Sequence, residues 1–385
     1  DYVPKSYRKS AKVMARDIEI AAACAYLAAK DAKLKTKCLI DRGEVEGPAN
    51  VDSTRLGANI GSGLICADLV ELAGALATAV DEEGRFSLKL WGAEGMSNLT
   101  PLWLLKFLPN MLACHVTIVH DAQAPSNTIT CGEAASHLAI GEAVRTVARG
   151  AADVCICGGA ESKLNPMGLI RQELLGRLTR SGNDAPASAC KPFDARRDGT
   201  VISEGGGLIM VEELEHARAR GARIYGEVVG FGASANVHSW KAPDPEGRAI
   251  ATSIRKALAD AVVSAEEVDL VATQGLGTVE HDLSEAAGIR SVLGDRAAEV
   301  PVLAIKGAVG NNGAGSGAID LAAAVLAMHN HTVPPSQNTS MVDPACGLNV
   351  VHGDPVDARL DVVVSTSFAP SGGQSAALVV RRYRE

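Results

Sequence analysis

The 385-residue chain carries 45 acidic against 37 basic residues, a formal net charge of −8, and 47% of its residues are hydrophobic. The acidic balance argues against nucleic acid as a bulk partner, no basic run interleaved with aromatics contradicts that, and the apolar share suffices for a large core. No apolar run approaches the ~18 to 20 residues that span a bilayer. Nine cysteines without regular spacing, in a large chain with no signal-peptide pattern, predict a cytoplasmic protein without a disulfide framework or membrane attachment.

Apolar residues recur on a helical period from Val13 to Lys30 (Val13, Ile18, Ala21, Ala25, Ala28) and predict an amphipathic helix. Leu56 to Gly63 predicts a strand entering a Gly-rich turn, with a helix around Ala67 to Ala79. Gly57, Gly61 and Gly63 suggest a phosphate loop only superficially, because neither Gly-Lys-Ser/Thr nor an acidic ribose acceptor accompanies them; close strand–helix packing is the expected role. The β-branched run at Thr128-Ile-Thr130 stops at a small residue, and the Ala-rich segment to Ala143 predicts a helix. A side chain on that turn meets the helix N-terminus, which favours negative charge or a lowered thiol pKa.

Cys155 and Cys157 share one face of a predicted strand and are expected to be small buried hydrophobes rather than zinc ligands. No metal site and no cofactor are expected. A helix over Glu212 to Arg220 and a strand from Ile224 to Val229 follow, and the boundary between two halves is placed near Glu215, giving 1–215 and 216–385. The second half reads helix Ile250 to Val262, strand Asp269 to Thr273, helix His281 to Leu293, strand Val302 to Lys306 and helix Ala318 to Met328. Strands Asp361 to Thr366 and Ser375 to Val380 close it. Such alternation predicts an α/β protein with a largely parallel sheet covered on both faces.

Three stretches carry a family resemblance. Pro125-Ser-Asn127, with Thr128 to Ala143 and Arg149-Gly-Ala-Ala-Asp-Val-Cys-Ile-Cys-Gly-Gly-Ala-Glu161, resembles the nucleophile region of β-ketoacyl synthases, condensing enzymes of the thiolase fold. Lys191-Pro-Phe-Asp-Ala-Arg-Arg-Asp-Gly199 with Glu204-Gly-Gly-Gly207 resembles that family's charged, Gly-rich signature at the junction of the halves. Leu108-Pro-Asn-Met111 resembles the turn that leads through a helix into the central dimer strand. The resemblance runs from Val13 to Val380 and implies two βα halves in a five-layer αβαβα arrangement. The family usually places a strand and a Gly-rich turn ahead of the first helix seen here, and Asp1 starts too late for them, so an N-terminal piece is expected in addition.

Family spacing counted back from Ile140 and forward from Pro125 reaches position 133 both ways, where a synthase has its catalytic Cys; here it is Glu133. The first catalytic His corresponds to Gln274 in Thr273-Gln-Gly-Leu-Gly-Thr278, with Asp282 and Glu285 in register. The second corresponds to Asn311 after Lys306-Gly-Ala-Val-Gly310. The gate segment is Thr366-Ser-Phe368-Ala-Pro370-Ser-Gly-Gly373, with Phe368 kept and Pro370 in place of a second Phe. Lys306 is expected to pair with a carboxylate such as Glu285. Glu133 is a weak nucleophile toward thioesters, and Gln274 and Asn311 donate N–H bonds without exchanging protons near neutral pH.

This pattern resembles the chain-length factors, or ketosynthase β-subunits. The resemblance implies a silent subunit that pairs as a heterodimer with an active ketosynthase, meets an acyl carrier protein and shapes the acyl tunnel in polyketide or fatty-acid elongation. It places His115 to Thr130 as the central dimer strand and its approach, its outward apolar side chains covered by the partner, and the tunnel end at Leu112, Ala113 and Val116. Two alternatives remain: an acyltransferase or hydrolase using Cys131, and acyl transfer through Glu133 itself.

Overall fold

The computed structural model describes residues 2–384; Asp1 and Glu385 lie outside them. The first half comprises α1 (Arg16–Asp31), α2 (Lys37–Asp41), β1 (Leu56–Ser62), α3 (Leu69–Ala77), α4 (Leu88–Ala93), α5 (Met111–His120), β2 (Ser126–Thr130), α6 (Ala135–Ala148), β3 (Val154–Ser162), α7 (Pro166–Leu174) and β4 (Glu204–Glu212). The short α8 (Leu214–Ala219) leads onward. The second half comprises β5 (Glu227–Ala235), α9 (Arg248–Ala261), β6 (Leu270–Ala272), α10 (Val279–Leu293), β7 (Pro301–Leu303), α11 (Lys306–Val309), α12 (Ser316–Asn330), β8 (Thr332–Val333), β9 (Asn349–Val350), β10 (Val356–Asp357), β11 (Val362–Phe368) and β12 (Gln374–Arg381).

One sheet has the order β2-β1-β3-β4 and the other β5-β12-β11-β6-β7-β9. In the first, parallel β2, β1 and β3 are followed by antiparallel β4; in the second, parallel β9, β7, β6 and β11 are followed by antiparallel β12, on which β5 pairs antiparallel at the edge. Helices α6 and α12 pack between the sheets, α1 and α5 cover the first from outside, and α9 with α10 covers the second. That is the five-layer thiolase arrangement. β1 and β3, covered on both faces, are buried along their whole length, as parallel strands between helix layers are. A cleft of about 1140 Å³ runs along β4 between α1 and α12, away from Glu133.

The halves repeat one motif at their centre. A Gly-containing 3-10 turn opens each central helix, Gly132–Ala134 before α6 and Gly313–Gly315 before α12. The helices start against each other: Ser136 Oγ accepts from the Ala318 amide at 3.0 Å. At Gly61 on β1 an added Cβ would lie 2.6 Å from the Ala135 and Ser136 backbone. Gly61 therefore lets the strand approach the start of α6, while Gly57 lies against the Pro125 carbonyl just ahead of β2.

Two expectations require correction. The strand expected over Val302 to Lys306 ends at Leu303, and Lys306 opens α11. In the segment expected as a dimer strand and its approach, α5 runs to His120 and the left-handed Asp121 (φ 58°) ends it before the five-residue β2, helix then strand in the expected order, but the side chains of Leu112, Ala113 and Val116 do not point outward as expected. On the helical period Leu112, Ala113 and Val116 turn inward and are buried in this chain's own core, beside residues of α1 and β1. They do not wait for a partner to cover them. His115 and His120 pack there too, bonded to Tyr7 Oη at 2.8 Å and Thr36 Oγ1 at 2.9 Å.

Candidate active site

Glu133 sits on the turn that starts α6, 3% exposed. Its Oε1 accepts from Lys163 Nζ at 3.2 Å and from Asn311 Nδ2 at 3.0 Å. Lys163 follows the end of β3 and also lies 3.5 Å from Glu161, whose carboxylate accepts from the Ala314 amide at 2.7 Å. Burial would raise the Glu133 carboxyl, but the Lys163 charge, the Asn311 bond and the nearby Arg177 charge outweigh it and hold the group at about 2. Burial would lower Lys163, yet Glu133 and Glu161 raise it. Both directions favour a standing ion pair.

Gln274 follows β6, completely buried. Its Oε1 accepts from the Phe368 amide at 2.6 Å and lies 3.2 Å from Ser367 Oγ, and its Nε2 has no partner. Ser367 Oγ donates to the Glu133 carbonyl at 2.7 Å. The three positions that spacing aligned, Glu133, Gln274 and Asn311, thus converge in one buried cluster, with Phe368 at its edge.

Glu285 plays a supporting role. Its two oxygens accept from the Gln274 and Gly275 amides at 2.8 and 2.9 Å, and Thr366 Oγ1 adds a third bond at 2.7 Å. With Glu285 so engaged, Lys306 pairs with Asp320 of α12 instead, at 2.7 and 2.5 Å; this corrects the expected Lys306–Glu285 pair. Both partners of the observed pair are fully buried.

The histidines nearby are occupied. His137 Nε2 bonds Ser365 Oγ at 2.9 Å, and burial, then the Lys306 charge, pushes the imidazole down to about 3. His281 accepts from Thr278 Oγ1 at Nδ1 and donates from Nε2 to the Pro370 carbonyl at 3.1 Å, which fixes its tautomer. Cys131 is half-buried, and burial raises its thiol, with Glu133 raising it further against a bond to the Gln374 backbone. Neither a thiolate nor a free base is supplied. Among the described residues no cluster of His, Cys, Asp or Glu side chains is arranged to hold a metal.

Residues 6–217 match the "Beta-ketoacyl synthase, N-terminal domain" family and residues 225–340 the "Beta-ketoacyl synthase, C-terminal domain" family. The chain belongs to the β-ketoacyl synthase family. Polyketide beta-ketoacyl synthase 1 of Streptomyces cyaneus is 38% identical over 71% of this chain. The match spans 64% of that relative, just under two thirds of its length. Two solved structures are similar over nearly the whole chain. One is a type II PKS acyl-carrier protein in complex with its ketosynthase bound to the hexaketide, with TM-score 0.82, 26% identity and coverage of 96% of this chain and 85% of that one. The other is the ishigamide ketosynthase/chain length factor, with TM-score 0.77, 27% identity and coverage of 97% and 83%. Against that family, Lys163, Arg177, His281 and Asp320 are site residues that spacing did not find. Lys163 had a signal: a cation two residues beyond Glu161, at a strand end facing a carboxylate that burial alone would not leave charged.

Proposed function

We propose that this ketosynthase-family chain is a catalytically silent subunit of the chain-length-factor type. It would pair with an active β-ketoacyl synthase and shape the acyl tunnel of a type II polyketide or fatty-acid system. The observation that carries the reading is the ion pair at the nucleophile position. A carboxylate held at about 2 is a poor nucleophile, repels a malonyl carboxylate, and already takes the Asn311 donor that could stabilise an incoming oxyanion.

The surface supports a partner. Among the described residues β2 is an edge strand with no strand on its outer side, and exposed Leu64 and Leu164, Met167, Leu169, Ile170 and Leu174 of and before α7 add apolar area. Arg171 Nη1, 3.4 Å from Cys66 Sγ, brings the Leu64 segment beside α7. Open strand edges and apolar surface invite association. The 3-10 turn Lys5–Val13 presents exposed Lys5, Lys9 and Lys12 in a chain of net charge −8, a local basic surface suited to an acidic acyl carrier protein.

The unpartnered Gln274 Nε2 is the one feature that favours acyl transfer through Glu133. Co-expression with candidate synthases, size-exclusion and intact mass after exposure to acyl carrier protein decide among these readings. The proposal expects a stable heterodimer with the acyl group on the partner alone. An adduct on Glu133 or Cys131 overturns it.

A further inference from the structure

Two carboxylates converge on one lysine nitrogen inside the fold. Lys163 Nζ lies 3.2 Å from Glu133 Oε1 and 3.5 Å from Glu161 Oε1, and the lysine and the two acids are 9%, 4% and 6% exposed at their side chains. Glycines make the room for them. A Cβ at Gly313 would lie 1.9 Å from Glu161 Oε2 and 2.6 Å from Lys163 Cε, and one at Gly63 would lie 2.0 Å from Glu161 Cδ. Each acid is also held by an N–H. Asn311 Nδ2 donates to the same Glu133 oxygen at 3.0 Å, and the Ala314 amide donates to Glu161 Oε2 at 2.7 Å, which leaves Glu161 Oε1 turned to the lysine.

In water an amine and a carboxyl group stay an ion pair, because solvation holds both charged. Out of water and in fixed contact the balance changes: two buried charges are costly, a neutral amide is not, and groups held together react as one molecule. We propose that Glu133 and Lys163 join in an intramolecular isopeptide bond that seals the site from within. One proton passes from the Lys163 ammonium to the Glu133 carboxylate, leaving an amine and a carboxylic acid with no change in net charge. The acid proton resides on Oε2, since Oε1 already accepts from Asn311. The Nζ lone pair then attacks Glu133 Cδ and forms the C–N bond, while Asn311 Nδ2 stabilises the charge gathering on Oε1. Glu161 takes the second amine proton and returns it to the Oε2 hydroxyl, which leaves as water as Cδ regains its carbonyl. No oxidant or cofactor is consumed, and Glu161 ends as it began. Glu133 is held low and Lys163 is raised, so the ion pair is the resting arrangement and the bond accrues after folding. The inference deepens the silent-subunit reading and rests on it: a carboxyl spent on an internal amide takes no acyl group.

Intact mass of the full chain, followed during prolonged incubation with no acyl donor present, tests it. Folded wild type loses one water in a fraction that grows with time, and digestion yields a linked pair of peptides carrying Glu133 and Lys163. The chain kept unfolded in urea retains its full mass, since the three groups no longer meet. Lys163→Arg keeps the cation but offers no nucleophile, and it retains its full mass. Glu161→Gln keeps both reacting groups and slows the loss about a hundredfold. Folded wild type that retains its full mass throughout, or a water loss located elsewhere in the chain, overturns the bond. A gain in mass on Glu133 when an acyl thioester is then added overturns the silent-subunit reading instead, so the two failures are distinguishable.

Discussion

Lys163 Nζ stands 3.2 Å from the Glu133 carboxylate inside the fold, with the two side chains 9% and 4% exposed. Breaking a buried pair by removing one partner typically costs about 3–5 kcal/mol, whereas replacing both by neutral groups of similar shape is often close to neutral. Lys163→Met is therefore expected to destabilise by about that amount in urea titrations. Lys163→Met with Glu133→Gln should recover most of the loss. Additive effects of the two changes would show that the ion pair is not coupled.

The Lys306–Asp320 pair makes a similar claim about partner choice. A double-mutant cycle between Lys306→Met and Asp320→Asn should return a coupling of roughly 1–3 kcal/mol, and one between Lys306→Met and Glu285→Gln should return a much smaller value. The reverse order would restore the pairing that the sequence pattern suggested.

Asp17 of α1 provides a pH signature. Its carboxylate accepts from the Ser162 amide at 3.0 Å, and burial, with the charges of Glu161 and Glu204 adding to it, raises the acid from an ordinary 3.8 to about 6. The folded protein therefore binds this proton more tightly than the unfolded chain, and ionised Asp17 opposes folding above pH 6. Lowering the pH from 7 through 6 toward 4 should remove that opposition. Asp17→Asn is expected to be more stable than wild type at pH 7 by up to roughly 3 kcal/mol, with the difference closing near pH 4. A difference independent of pH would contradict the raised acid. Glu133, held low, loses its contribution only below its ordinary range near 4.5 and leaves this window undisturbed.

Helix α5 supplies a prediction that the sequence alone inverts. Ala113 is 6% exposed and lies in the chain's own core, so Ala113→Phe is expected to overpack it at about 1–3 kcal/mol instead of reaching a partner's tunnel. Ile118, 56% exposed on the same helix, is the position open to another subunit. Ile118→Arg should weaken heterodimer formation by tenfold or more in sedimentation or light-scattering titrations without lowering the melting temperature of the free chain.

Local signals were sufficient for much of this architecture. The periods of α1, α9, α10 and α12 are regular and the strands near Asp269, Asp361 and Ser375 are strongly β-branched or apolar, so periodicity located them within a few residues. Spacing likewise aligned Glu133, Gln274 and Asn311, because the turns before α6 and α12 are constrained by glycine and leave no freedom for insertion. What sequence did not reveal depends on geometry across layers. The helix after Leu108-Pro-Asn-Met111 and the strand beyond it are expected in that order, but the inward direction of Leu112, Ala113 and Val116 is set by packing against α1 and β1. Lys306 had two carboxylates within plausible reach, and only the saturation of Glu285 by backbone amides leaves Asp320 as its partner. Arg177 and His281 contact the loop between β11 and β12 across 194 and 89 residues of chain, which no local pattern encodes.

The most direct measurement is product formation by the proposed complex of this chain with an active synthase and acyl carrier protein, comparing wild type with Glu133→Ala in the present subunit. If the subunit is silent, the Glu133→Ala complex forms product within a few-fold of the wild-type rate, since the acid transfers nothing. Loss of product from a Glu133→Ala complex that still assembles would show that Glu133 takes part in the chemistry, and the silent-subunit account would be wrong.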